Sequence, residues 1–130
     1  MASGELGSGT VIKSYRDLHV WQEAMALTES CYRLTRKFPR DELFGLTSQI
    51  RRASSSIAAN IAEGHGRENT GSFIQFLQIA QGSLKEVETH LILSARVEIV
   101  SKQNVDPLIE HSERLGKMLR SLIRSLQDKA

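Results

Sequence analysis

The sequence has one cysteine, Cys31, two prolines and one tryptophan, and its aromatic share is 5%. A lone cysteine cannot close an internal disulfide, so a reducing compartment, the cytoplasm, is expected. Scarce proline with abundant Leu, Ile, Ala, Glu, Lys and Arg argues for helices rather than a sandwich or barrel. No run approaches the ~18 apolar residues that a membrane span needs. The first ten residues, "MASGELGSGT", lack the basic and apolar regions of a secretion signal. Charge of one sign is also scarce: the formal net charge is +2 and the pI about 8.9. That balance permits a nucleic-acid partner without implying one.

The 130 residues amount to one domain with room for its own core. Residues 1–13 are small, polar and glycine-rich and read as a disordered tail; residues 14–130 read as helical. Apolar residues recur there at alternating steps of three and four, in four blocks. The first is Leu18, Trp21, Met25, Thr28, Tyr32 and Thr35. The second is Leu43, Leu46, Ile50, Ala53, Ile57 and Asn60. The third is Phe73, Leu77, Ala80, Leu84, Val87, Leu91 and Ser94. The fourth is Leu108, Ser112, Leu115, Leu119, Leu122 and Leu126. Phe38-Pro39 stops the first helix. Asp41 is expected to cap the second, and Gly64 to end it in a left-handed conformation. Asn69 is expected to cap the third, and Asp106-Pro107 to open the fourth. Short connections make an all-α, antiparallel, up-down-up-down four-helix bundle.

The apolar stripes are wider than one bundle core requires. Phe76, Ile79 and the run Leu91-Ile92-Leu93 spread around the third helix. Ile61, Met118 and Ile123 lie off the seams of the second and fourth. This surplus predicts burial against another copy of the chain.

The stretch "NIAEGHGRENTGSF", Asn60 to Phe73, allows three readings: a phosphate loop, a catalytic site or a turn between helices. A dinucleotide fingerprint needs a preceding strand and a glycine where Asn69 stands. A di-iron bundle needs Glu-x-x-His pairs, but Val87 and Leu108 occupy the positions three before His90 and His111. His19 and His65 show no ligand spacing either, so no metal and no cofactor are expected. Cys31 reads as a buried thiol, and Ser54-Ser55-Ser56, flanked by Ala53, Ala58 and Ala59, as a close helix contact. Asn60 on a seam must find a hydrogen bond, in the turn backbone or a neighbouring helix. The stretch reads as a structural turn fastened by Asn60, Glu63 and Arg67, and no enzyme activity is expected.

Basic residues gather at the end of the first helix (Arg33, Arg36, Lys37, Arg40), in the second (Arg51, Arg52) and in the turn (Arg67). On the fourth, Lys117, Arg120 and Arg124 form a stripe with Arg114 nearby. Such a stripe can track phosphates, or be a solvated face balanced by acidic residues. No aromatic residues interleave it to stack bases.

The segments "YRDLHVWQEA", "LTRKFPRDELFGLTSQIRRASSSIAANIAEGHGR", "FIQFLQIAQGSLKEVETHL" and "LGKMLRSLIRSL" resemble the bacterial four-helix-bundle family of 23S rRNA intervening-sequence proteins. The resemblance runs from Tyr15 to Leu126. Its matched positions are Gln49, Arg51, Arg52, Asn60, Glu63, Gly64, Gly66, Arg67, Gly82 and Glu88. It implies a homopentamer with no assigned catalysis. A relative of the family is the accessory protein of diversity-generating retroelements, which binds nucleic acid and partners a reverse transcriptase. Two departures stand out: Glu98-Ile99 where the family tends to have Gly-Tyr, and Ser72 where a capping glutamate is common. The expected function is a homo-oligomeric accessory factor binding RNA or DNA through Arg51, Arg52, Arg67, Lys117, Arg120 and Arg124. The alternative is a structural oligomer with no nucleic-acid role.

Overall fold

The computed structural model describes residues 11–129. Four helices carry the fold: α1 (His19–Thr35), α2 (Leu46–Gly66), α3 (Thr70–Arg96) and α4 (Lys102–Lys129), with 3-10 turns at Tyr15–Asp17 and Arg40–Glu42. No strand occurs among the described residues. α2 packs on α1 and α3, and α4 packs on α3 and α1, so the helices ring one core in chain order. Sequential helices on short connections run antiparallel, and the expected four-helix bundle is the observed fold. Most of the expected tail, residues 1–10, lies outside the described residues; residues 11–13 lead without regular structure into Ser14.

The core is aliphatic, with Leu27, Ile50, Ile57, Leu77, Leu84 and Leu115 fully buried. All seven expected seam residues of α3 are buried. On α4, Ser112, Leu115, Leu119 and Leu122 are buried as expected, with Val105 and Ile123 added. The seam of α1 needs correction. Its buried face is Val20, Ala24, Leu27, Cys31 and Thr35, while Met25 and Tyr32 stay 38% and 40% exposed. Small side chains at Ala24 and Cys31 let α1 settle closely, and the larger ones one step away are left at the rim. Trp21 there meets the Tyr15 ring edge-on, centroids 5.3 Å apart.

The surplus apolar residues divide. Ile61 and Ile123 are absorbed by the chain's own core, whereas Ile79, Ile92 and Leu93 remain 47%, 47% and 42% exposed.

Three helix ends also differ from expectation. Asp41 does not cap α2. It lies in the 3-10 turn, and Glu42 Oε1 instead accepts from the Leu46 amide at 3.0 Å. α4 begins at Lys102, with Ser101 Oγ accepting from the Asn104 amide at 3.2 Å, and Pro107 lies inside it. Pro107 lies just past the first-turn amides that have no partner within a helix, so it removes one internal bond, the one to the Gln103 carbonyl. Gly64 does not take a left-handed conformation. It is buried within α2, and the left-handed residue is Glu68, at φ 56°. Asn69 caps α3 as expected, its Oδ1 accepting from the Ser72 amide at 2.9 Å.

The role of Gly64 is close approach. A β-carbon there would stand 2.6 Å from Phe76 Cβ and 3.1 Å from Phe73 Cδ1. Gly64→Ala is therefore expected to cost about 1–3 kcal/mol through overpacking. A β-carbon at Gly66 would meet nothing within 4 Å. Gly66→Ala should be neutral or stabilise by about 0.4–1 kcal/mol. Urea denaturation midpoints check both, and equal midpoints for the two variants would refute the packing explanation.

The departure at Glu98-Ile99 leaves a trace in the backbone. Glu98 sits at φ 65°. Its amide donates to the Ala95 carbonyl and the Ile99 amide to the Ser94 carbonyl, both at 3.0 Å. These two bonds are a Schellman motif, whose left-handed position favours glycine. A β-carbon in that conformation costs roughly 1–2 kcal/mol. Glu98→Gly should raise stability by up to about 1 kcal/mol after glycine's own entropic cost, and Glu98→Val should lower it, both read as shifts in denaturation midpoint.

Candidate nucleic-acid interface

The six candidate cations lie at different places: Arg51 and Arg52 in the first half of α2, Arg51 against α1, Arg67 just past α2 over Phe76 of α3, and Lys117, Arg120 and Arg124 on α4. α2 and α4 occupy diagonal corners of the bundle, so Arg51 and Arg52 do not join the α4 stripe. The α2 group is also engaged inside the chain. Arg51 Nε donates to Thr35 Oγ1 at 2.9 Å, and its guanidinium lies 4.6 Å from the centre of the Tyr32 ring. Thr35 Oγ1 in turn donates to the Cys31 carbonyl at 2.7 Å. Arg51 thereby fastens the last turn of α1 to α2 through a hydrogen bond and a cation–π contact. Arg52 donates to Gln49 Oε1 at 2.9 Å. Arg67 pairs with Glu63 at 2.9 Å and lies 5.0 Å from the centre of the Phe76 ring.

Lys117, Arg120 and Arg124 are different. All three are exposed, and none makes an ion pair or side-chain hydrogen bond among the described residues. On α4 they span close to two turns of one side. The arrangement can meet a run of phosphates without first breaking an internal bond.

The turn residues resolve more simply. Glu63 and Arg67 form an exposed pair one helical turn apart, and Arg67 reaches over α3 to Phe76. Asn60 does not fasten the turn: its Nδ2 donates at 2.7 Å to the Ser56 carbonyl of its own helix. A half-buried amide on a helix satisfies itself most cheaply with the carbonyl one turn back. His65, inside the motif, meets the Phe73 ring edge-on, centroids 5.7 Å apart.

Nucleophile candidates are committed to backbone or buried. Ser54, Ser55 and Ser56 each donate to the carbonyl three residues earlier. Burial pushes the Cys31 thiol up to about 12 from 9.0, outweighing the lowering by the neighbouring Ser54 hydroxyl. Such a thiol is protonated and unreactive at neutral pH. Among the described residues no group of three or more His, Cys, Asp or Glu could hold a metal ion. No helix there is long and apolar enough to cross a membrane.

Two polar contacts escaped sequence reasoning. Glu88 accepts from the buried Ser112 hydroxyl, linking α3 to α4. His111 Nε2 lies 2.7 Å from Glu23 Oε1, linking α4 to α1. His111 and Ser112 are adjacent in sequence yet serve different helices. Only the observed rotation of α4 reveals this; the spacing of its partners carries no signal.

A family model described as 23S rRNA-intervening sequence protein matches residues 16–121. That span contains Arg51, Arg52, Arg67, Lys117 and Arg120, and Arg124 falls just beyond it. No curated protein matches the chain. A crystal structure of a protein of unknown function from the S23 ribosomal protein family of Bacteroides thetaiotaomicron is similar, with a TM-score of 0.75 and 26% identity. The match covers 81% of this chain and 95% of that one.

The contacts of Arg51 predict a structural penalty for its loss. Arg51→Ala should destabilise the bundle by about 1–2 kcal/mol, the scale of one hydrogen bond with a cation–π contact. Arg51→Lys should recover little, because an ammonium lacks the planar fork that bonds and stacks together. Arg124→Ala should stay within about 0.5 kcal/mol. Thermal or urea unfolding of the three variants checks the ranking.

Proposed function

The chain belongs to the 23S rRNA-intervening sequence protein family, and from that premise we propose that it is a non-enzymatic homo-oligomer, a pentamer, serving as a nucleic-acid-binding accessory factor in the cytoplasm. The observation that carries the binding is the stripe Lys117, Arg120 and Arg124, three exposed cations with no partner among the described residues. Repeated around a ring, one such stripe per copy multiplies weak phosphate contacts into useful avidity. Assembly is supported by apolar surface that the fold leaves uncovered. Ile79 and Leu93, close to four helical turns apart on one side of α3, are 47% and 42% exposed. A partner enzyme acting on nucleic acid, such as a reverse transcriptase, suits a factor that holds a strand without processing it.

The second reading is a structural oligomer with no nucleic-acid role. The engagement of Arg51, Arg52 and Arg67 in bonds within the chain favours it.

Two measurements test these readings. Light scattering should give a mass near five times 14.5 kDa, and Ile79→Glu with Leu93→Glu should reduce it; a native mass near 14.5 kDa defeats assembly. Labelled RNA and single-stranded DNA should bind at ~50 mM salt and lose orders of magnitude in affinity by ~200 mM. Replacing Lys117, Arg120 and Arg124 with alanine should weaken binding without unfolding the protein. Absence of binding at ~50 mM salt leaves the structural reading in place.

A further inference from the structure

The end of α1 and the start of α4 enclose an open groove of about 720 Å³. That volume lies within the roughly 300–1,000 Å³ of small-ligand sites. Its floor is apolar, formed by Leu34, Ile99 and Leu108. One wall carries Arg33, Arg36 and Lys37; the other carries Ser101 and Asn104. No carboxylate is among its lining residues.

The charges in this groove are poorly compensated. Arg36 and Lys37 make no side-chain bond among the described residues, and Arg33 only donates to Ser30 Oγ at 3.3 Å. The opposite wall does not balance them. α4 has no acidic residue in its first turn, and the Asp106 carboxylate one turn further is held by Lys102 at 2.9 Å. Cations in the last turn of α1 complement that helix's own carbonyl end. This accounts for basic residues there, but not for a carboxylate-free wall facing them across an apolar floor.

We propose that this groove binds one nucleotide of a single-stranded nucleic acid. The base lies on Leu34, Ile99 and Leu108, its edge meets Ser101 and Asn104, and its phosphates meet Arg33, Arg36 and Lys37. An apolar floor between a cationic and a hydrogen-bonding wall matches a ligand that is flat and apolar in one part and anionic in another. A double helix keeps its bases stacked inside and cannot offer one to a groove, so the ligand is unpaired. The inference rests on the nucleic-acid reading of the chain, but it uses residues separate from the α4 stripe.

The test uses the full chain with two probes. In the first, labelled single-stranded oligonucleotide is titrated against wild type and a variant carrying Arg33→Gln, Arg36→Gln and Lys37→Gln, which keeps most of each side chain's length. The groove variant should bind at least about tenfold more weakly at ~50 mM salt, and its salt slope should fall by about 2, at roughly 0.7 per phosphate contact. A parallel variant at Lys117, Arg120 and Arg124 should keep the groove's preference for single strands over duplex. In the second, a 5′-mononucleotide is added to isotope-labelled wild type, and the Ser101, Lys102 and Asn104 amide resonances should shift. Oligonucleotide binding that the groove variant retains in full overturns the inference. Shifts at those amides without oligonucleotide binding overturn the single-strand inference together with the accessory-factor reading and leave a site for a free nucleotide. Neither binding nor shifts overturns both. The second probe needs no variant, so a misfolded variant cannot decide the outcome.

Discussion

At Gly64 the backbone of α2 comes so near α3 that the space for a β-carbon is already taken by Phe76 Cβ, 2.6 Å away. Only three residues join the two helices, and this approach sets their spacing at the end where they meet. The side chains around it follow. Phe73 and Phe76 fill the space glycine leaves, His65 sets its edge on Phe73, and Arg67 lies over Phe76. The α2–α3 pair then offers the surfaces on which α1 and α4 settle. On one flank, Thr28 Oγ1 lies 3.0 Å from the Ser54 carbonyl, where a small α2 residue lets α1 come close. On the other, Gly116 gives room to Leu84. Small residues fix the distances, and the aliphatic side chains fill what remains.

Polar groups then select the arrangement that packing alone would leave loose. Arg51 binds the end of α1, Glu88 receives the Ser112 hydroxyl of α4, and His111 meets Glu23 of α1. Each joins two helices, and each loses its partner if a helix turns about its axis. Hydrogen bonds add directional constraint to the close packing of the aliphatic core, because a small turn that keeps a side chain buried can still break a bond. Arg51 illustrates how a cation at a sequence position suggestive of binding is engaged within the fold, by Thr35 and the Tyr32 ring.

The bundle is legible in the sequence because periodicity reports burial. On α3 all seven seam residues are buried as the spacing predicts, since only one stripe of that helix is continuously apolar. On α1 two stripes compete, and the larger side chains of Trp21, Met25 and Tyr32 outweigh Ala24 and Cys31, which pack closer. The helix ends are less legible. Asp41 and Asp106-Pro107 have the composition of starts, yet Glu42 and Ser101 supply the bonds. Left-handed residues at Glu68 and Glu98 lie outside what composition signals, because glutamate carries no preference for that conformation. The candidate cations are all visible in the sequence, but their availability is not. Whether an arginine is free depends on tertiary partners such as Thr35 and Tyr32, sixteen and more residues away.

Pro107 carries a consequence for local motion. Lacking an amide hydrogen, it leaves the Gln103 carbonyl without its usual partner one turn along α4. The turn before it is joined to the rest of the helix by fewer rungs, and of its residues only Val105 is buried. Opening this turn exposes one valine rather than a share of the core. Its free energy of opening therefore lies toward the low end of the range found within a folded protein, well under that of global unfolding. Amide hydrogens at Asn104 to Asp106 should therefore exchange through that fraying, while those along the Leu115 to Leu122 stretch should wait for the whole bundle to come apart.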